Sequence, residues 1–325
     1  MEPYRIETYQ PALAGAWNQF LVHAKNATFL FNRGFMDYHS DLFKDRSLLV
    51  YRGEKLLAVL PANIKDNQLH SHQGLSYGGL VVASGLKFDV VLALFYSVLK
   101  YLDAQGIPTL ILKILPEIYA TAPAQEMHYG MHLVEAKLIK AELASTIDNR
   151  SGLKIQSNRL EGVKKAQKLG LTIKKETSFS SFWQDILIPN LQTKHEAAPV
   201  HSVSEIQLLA DRFPEHIHQY NVYYGNKLVG GTTLFETQTT VHCQYISANK
   251  DKQQLGTLDF LFQHLIQKEF AHKAYFDFGI STVNGGKQLN KGLLYWKECF
   301  GARSTVNSTY SVTTANYTAL KSFLE

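Results

Sequence analysis

The 325-residue chain has only two cysteines, Cys243 and Cys299. Two thiols supply neither a disulfide framework nor a cysteine-rich zinc site. No apolar run reaches the ~18 residues that a membrane-crossing helix requires. The start, Met1-Glu-Pro-Tyr-Arg5, has no basic segment leading into an apolar run, so no secretory leader is expected. The expected address is therefore the cytoplasm. Charged residues make up 19% of the chain against 45% hydrophobic ones, a balance that argues against long disordered tails. There is no Gly-x-Ser-x-Gly elbow and no phosphate-binding Gly-Lys-Ser/Thr loop, which removes the corresponding hydrolase and nucleotidase classes. His70-x-His72 and His216-x-His218 each set two rings on one face of a strand, but neither has a carboxylate or third ligand at metal-site spacing, so no metal is expected. The net charge of +5 is mild for this length. It suits an anionic ligand only where the charges cluster, and does not indicate a nucleic-acid binder.

The residues that are present point to two α/β domains, as the length allows. Val91, Leu94, Phe95, Val98, Leu99 and Leu102 recur at helical spacing, a strong amphipathic pattern that Gly106 ends. A strand follows over 109–115 and stops at Pro116. Ahead of the helix, apolar runs flank Arg52-Gly-Glu-Lys55 as in a β-hairpin. The second half repeats this order. Val222-Tyr-Tyr-Gly-Asn-Lys-Leu228 matches Val50-Tyr-Arg-Gly-Glu-Lys-Leu56 except at the third and fifth positions. Leu258, Leu261, Phe262, Leu265 and Ile266 form the second helical stripe, and Tyr275-Phe-Asp-Phe-Gly-Ile280 is the strand after it. The shared order favours a duplicated unit. The polar stretch Asp148-Asn-Arg-Ser-Gly152 sets the expected boundary, giving domains 1–149 and 150–325. The fold class is α/β (α+β), with mixed, largely antiparallel sheets flanked by helices.

One segment has no counterpart in the first half. A helix expected over 155–170 carries most of the basic run Lys154, Arg159, Lys164, Lys165, Lys168, Lys174 and Lys175, against Glu161 alone. It is either a solvated face or a docking surface for an anion. Lys164, Lys165 and Lys168 fall within about 100° of one another on a helix. They are the candidate substrate-binding face.

Antiparallel strands leading into a long amphipathic helix and a further strand resemble the GNAT acyltransferase fold. In that fold a loop before the central helix presents backbone N–H groups to the pyrophosphate of coenzyme A. The Gln253-Gln-Leu-Gly-Thr-Leu258 string is similar to the loop's signature, with Leu258 where a small residue is expected. The stretch Phe276-Asp-Phe-Gly-Ile-Ser281 followed by Asn290-Lys-Gly-Leu-Leu-Tyr-Trp-Lys-Glu-Cys-Phe-Gly301 resembles the closing motif of Fem-type peptidyltransferases and their relatives. Arg159-Leu-Glu-Gly-Val-Lys-Lys-Ala-Gln-Lys-Leu-Gly170 is similar to their basic helix, and Leu191-Gln-Thr-Lys-His-Glu-Ala-Ala-Pro-Val-His201 to the segment after it. The resemblance covers roughly 150–305. Their Arg-Arg-Lys is reduced here to Val163-Lys-Lys, and the coiled-coil arm of aminoacyl-tRNA-using members is absent from the sequence.

The resemblance implies two tandem GNAT-like units with the working cleft in the second. The implied activity is transfer of an acyl or aminoacyl group from a thioester or other activated donor to an amine. Acetyl-CoA or another acyl-CoA is the implied donor, ahead of aminoacyl-tRNA. The acceptor would be a small molecule or a cell-envelope precursor. The implied cofactor contacts are Gln253, Gly256, Thr257, Asn290 and Lys297. Tyr245 and His195 are the candidate catalytic residues, as a proton donor to the leaving thiolate and as a base or phosphate ligand. Lys194 and Asp277 join the three helix lysines as candidate substrate contacts. Asp277 is either cleft-facing or a helix N-cap partner. Strict alternation along 239–248 puts His242 and Gln244 on one face and Cys243 and Tyr245 on the other. Asn290 reads as a helix N-cap and Gly301 as a helix stop. The alternative function is a non-catalytic glycan- or peptide-binding protein that keeps the double fold.

Overall fold

The computed structural model describes residues 4–195 and 198–324, with the side chains of Lys194 and His195 outside the described set. The chain divides into two compact units. The first is Met1–Glu142, Gly285–Lys287 and Val306–Glu325, and the second is Leu143–Asn284 and Gln288–Thr305. The sequence boundary at 149/150 marks something else. Asp148-Asn-Arg-Ser-Gly152 is a turn closed by the Ser151 N–H to Asp148 carbonyl bond, with Gly152 at φ +68°. Polar composition locates the turn, whereas the division at 142/143 falls inside the preceding strand and the chain end returns to the first unit.

In the first unit the elements are β1 (Arg5–Thr8), α1 (Ala14–Val22), α2 (Arg33–Met36), β2 (Leu48–Arg52), β3 (Lys55–Leu60), β4 (Asn63–Lys65), β5 (Gln68–His70), β6 (Val81–Val82), α3 (Phe88–Ala104), β7 (Thr109–Lys113), α4 (Glu126–Leu133) and the first part of β8 (Lys137–Asp148). Strands β1, β2, β3 and β6 form an antiparallel sheet in that order. A second group joins β4 to β5, β5 in parallel to β7, and β7 to 309–313 near the chain end. The helical stripe of α3 is buried in full, and the core is built on it.

The second unit contains α5 (Ser157–Lys168), β9 (Leu171–Glu176), α6 (Ser180–Phe182), α7 (Ile188–His195), α8 (Val203–Arg212), β10 (Ile217–Tyr224), β11 (Lys227–Glu236), β12 (Thr240–Ala248), α9 (Lys252–Leu255), α10 (Thr257–His264), β13 (Tyr275–Ile280), the ribbon β14 (Thr282–Val283) and β15 (Gln288–Leu289), α11 (Lys291–Glu298) and the start of β16 (Arg303–Thr313). The sheet order is β8-β13-β12-β11-β10-β9, antiparallel except for β12 beside β13. Phe262, Phe276, Phe278 and Phe300 centre the core, with Leu261 and Leu265 from the α10 stripe.

The two hairpins share more than letters. Val50 pairs with Ala58 and Tyr51 with Leu56, while Val222 pairs with Gly230 and Tyr223 with Leu228. Each therefore slips register by one residue directly after the valine of the shared string. Each turns at a glycine of positive φ, Gly53 at +55° and Gly225 at +57°, a conformation that L side chains resist.

Strand β12 departs from strict alternation. Thr233 pairs with Tyr245 but Leu234 pairs with Cys243, so Gln244 has no opposite residue. This bulge turns Tyr245 to the face opposite Cys243. Cys243 belongs to the core, whereas Tyr245 packs on Trp183 and His201. The expected sharing of one face by Cys243 and Tyr245 is thereby corrected.

Candidate functional site

Strands β12 and β13 run parallel and pair over three positions, Thr240 with Tyr275, Val241 with Phe276 and His242 with Asp277. Beyond His242 the strands part. A cleft of 620 Å³ lies at the open end, lined on the strand side by Ile246, Ser247 and Ala248. Helix α10 contributes Leu258 and Asp259, and α9 contributes Lys252 and Gln253. Asn290, Gly292, Leu293 and Trp296 from the start of α11 form another wall, and Arg159 reaches in from α5. Asn190 of α7 ties its own wall to β12 by donating to Ser247 Oγ and the Ala248 carbonyl, both at 2.8 Å.

The helix that opens onto this cleft starts at a strained position. Gly256 has φ +69°, and a Cβ there would stand 2.1 Å from the Gly162 carbonyl oxygen. A Cβ on Gly162 would in turn meet Asp259 Oδ2 at 2.1 Å. Helices α5 and α10 thus touch through two glycines. The first N–H groups of α10, at Thr257, Leu258 and Asp259, precede the first intrahelical bond, from Phe260 N–H to the Gly256 carbonyl. Such a helix start is suited to an anion.

Asp259 modifies that field. It is paired with Arg159 at 3.0 Å. Burial raises its pKa above the ordinary carboxylate value, and the Arg159 charge counteracts only part of that rise. The pair lies largely out of solvent, with side-chain exposures of 23% and 14%, so it is screened less than a surface pair.

Of the residues singled out in the sequence, Gln253 and Asn290 line the cleft. Asn290 also caps α11, accepting from the Leu293 N–H at 3.0 Å, and Gly301 at φ +93° follows that helix's end. Gly256 shapes the helix start, and Thr257 is buried behind it, with its methyl close to Gly230. Lys297 is buried elsewhere. Its ammonium donates to the Gly279 and Ile280 carbonyls at 2.8 and 2.7 Å, and burial lowers its pKa to about 8. Asp277 is buried as well. It bonds His242 at 2.9 Å and accepts from the Thr146 hydroxyl and the Gly279 N–H. These are strand-end contacts, not a helix N-cap.

The Tyr245 hydroxyl meets His201 Nδ1 at 2.8 Å, and burial raises its pKa. Lys164, Lys165 and Lys168 are exposed on α5, away from the cleft lining. Lys194 and His195 end α7, and their side chains lie outside the described residues.

The sequence reading missed Asp259 and Asn190. Arg159 was visible only as one member of a basic helix. The signal that marks it is Gly162 one turn later, a small residue inside a helix that lets α10 and its carboxylate come close.

In sequence, no family model and no curated protein matches the chain. In structure, it is similar to FemX, with a TM-score of 0.66 at 10% identity, over 98% of this chain and 99% of that one. It is also similar to L-PGS from Bacillus licheniformis, at TM-score 0.53 and 14% identity over 98% of both chains. A tandem GNAT protein from the clavulanic acid biosynthesis pathway aligns at TM-score 0.52 and 12% identity, over 96% of this chain and 98% of that one. The chain has the tandem GNAT fold of Fem-type proteins. Among the described residues no helix is long and apolar enough to cross a membrane.

Proposed function

We propose that the protein is an N-acyltransferase whose second unit binds an acyl-CoA in the 620 Å³ cleft and transfers the acyl group to an amine. The observation that carries this reading is the parting of β12 from β13, together with the one cleft that the far end of β12 and the start of α10 line. An extended thioester arm fits along the unpaired edge of β12, with its pyrophosphate at the α10 N-terminus and Gln253. Its reactive end then points toward the fork of the two strands. Positioning and stabilisation of the oxyanion supply most of the rate in such a site. The fold shared with FemX and L-PGS supports the acyl or aminoacyl transfer class. The acceptor is proposed as a small-molecule or cell-envelope-precursor amine.

A second reading rests on Asp259. A carboxylate beside the proposed pyrophosphate site opposes an anion, and Leu258 occupies space that a small residue would leave open. Both features favour a cleft that holds a neutral glycan or a peptide without catalysis. Calorimetric titration with acetyl-CoA separates the two. The acyltransferase reading expects one site per chain with a Kd in the range of about 1 µM to 1 mM, weakened about tenfold in Gln253→Ala. Absence of binding by the wild-type protein would remove the acyl-CoA reading and leave the second one.

A further inference from the structure

Among the described residues, the cleft lining includes no imidazole, and its carboxylate, Asp259, is paired with Arg159. A group able to take a proton from the acceptor amine stands instead at the fork. His242 and Asp277 are the last paired positions before β12 and β13 part. His242 Nδ1 lies 2.9 Å from Asp277 Oδ2. The other carboxylate oxygen is fixed by the Thr146 hydroxyl at 3.1 Å and the Gly279 N–H at 2.9 Å. Asp277 is 3% exposed, so its orientation is set by these bonds. A carboxylate accepts, so Nδ1 of the neutral ring carries the proton and Nε2 carries the lone pair.

Two backbone features place the ring there. Gly279 has φ +70°, and a Cβ at that position would stand 3.1 Å from His242 Cε1. The imidazole therefore lies against β13 at a position where a Cβ would crowd its Cε1. Between His242 and the first cleft residue of β12, Ile246, sits the bulge at Gln244. Bulges beside active sites re-aim strand side chains. Lys297 is poorly suited, since it is held by two carbonyls.

We propose that His242, oriented by Asp277, is the proton acceptor for the amine in acyl transfer. This rests on the acyl-CoA reading of the cleft. His242 Nε2 takes a proton from the acceptor ammonium, and the freed nitrogen lone pair attacks the thioester carbonyl carbon. The C–N bond forms as the carbonyl π pair moves to oxygen. The pair returns, the C–S bond breaks, and the coenzyme A thiolate takes the proton from the imidazolium. The amide nitrogen gives its remaining extra proton to water, so the products are an amide, free thiol, neutral His242 and one proton. Asp277 acts as a positioning residue.

Bromoacetyl-CoA tests the placement without knowledge of the acceptor. Its CH₂–Br carbon occupies the position of the acyl group. The imidazole attacks that carbon, bromide leaves, and the adduct is mapped by peptide mass spectrometry. The expected result is one adduct, on His242, formed at least tenfold more slowly when acetyl-CoA is in excess. His242→Gln should escape that adduct while binding acetyl-CoA within threefold of wild type. Asp277→Asn should slow labelling of His242 about tenfold or more, again with acetyl-CoA affinity nearly unchanged. Labelling elsewhere, or none, in a protein that binds acetyl-CoA overturns the role of His242 and leaves the donor reading standing. Labelling of Asp277→Asn at the wild-type rate overturns the role of Asp277. Failure of the wild-type protein to bind acetyl-CoA in calorimetry overturns the donor reading and this proposal with it.

Discussion

The two units use the same parts to opposite ends. Each has a bulged hairpin, a third strand, a long helix and a strand after it, yet among the described residues only the second opens a cleft between its third strand and the last. In the second unit β12 runs nine residues and leaves β13 after three pairs. In the first unit β6 is two residues long, and its outer edge is taken by the chain itself. Lys25 N–H bonds the Val82 carbonyl, the Asn26 side chain bonds both Leu80 and Val82, and Ala24 bridges Ala83. The space near Gly78, Leu80 and Ile114 holds only 10 Å³. The large groove of the first unit lies elsewhere, over Tyr96 and Tyr101 on α3. Duplication supplies the frame, and filling or clearing one strand edge decides which copy has room beside its third strand.

The largest expected effect comes from Gly256. Gly256→Ala combines positive φ with a 2.1 Å approach to the Gly162 backbone. The substitution should cost about 3 kcal/mol or more, read as a fall in the unfolding midpoint of the second unit. The matching control is Gly225→Ala, where φ is +57° and nothing lies within 4 Å. There the cost should be about 1–2 kcal/mol. Equal losses would show that the α5–α10 crossing is not tight.

Intermediate effects come from a buried lysine in each unit. Lys113 donates to the Gln73 and Leu75 carbonyls, and Lys297 to those of Gly279 and Ile280. Burial lowers both pKa values from 10.5 to about 8. Below pH 8 both ammonium groups are charged in the folded and the unfolded chain. Between about 8 and 10.5 the unfolded chain holds more protons, so each lysine makes stability rise with pH across that window, by on the order of 2–3 kcal/mol. Lys113→Met and Lys297→Met should each remove one of the two contributions in denaturant titrations at pH 8 and 10. An unchanged slope in either variant would contradict the burial.

The smallest expected effect concerns the basic helix. Changing Lys164, Lys165 and Lys168 together to Ala should alter the melting temperature little, since all three are exposed. If the helix steers an anion, the triple variant should bind acetyl-CoA more weakly at low salt than at high salt, relative to wild type. No change at low salt returns these residues to a solvated surface.

Periodicity carried much of this fold into view. The α3 and α10 stripes, the hairpin glycines and the cap at Asn290 are local devices, each fixed by a few neighbouring residues. The cleft is different. Arg159 and Asp259 are a hundred residues apart and meet because Gly162 and Gly256 let two helices touch, which no local pattern encodes. Lys297 matched a family motif, yet its burial against strand-end carbonyls depends on how β13 ends. The face of Tyr245 was misread because a single bulge reverses alternation, and bulges leave no dependable mark in sequence. His242 and Asp277 sit on strands whose parallel pairing becomes visible only in three dimensions.

Hydrogen exchange with and without saturating acetyl-CoA tests the central contrast most directly. The account predicts added protection in the second unit, over 244–260 and 290–296, and none over the corresponding segment 80–95 of the first. Protection in the first unit, or in neither, would contradict the assignment of the ligand cleft to the second copy.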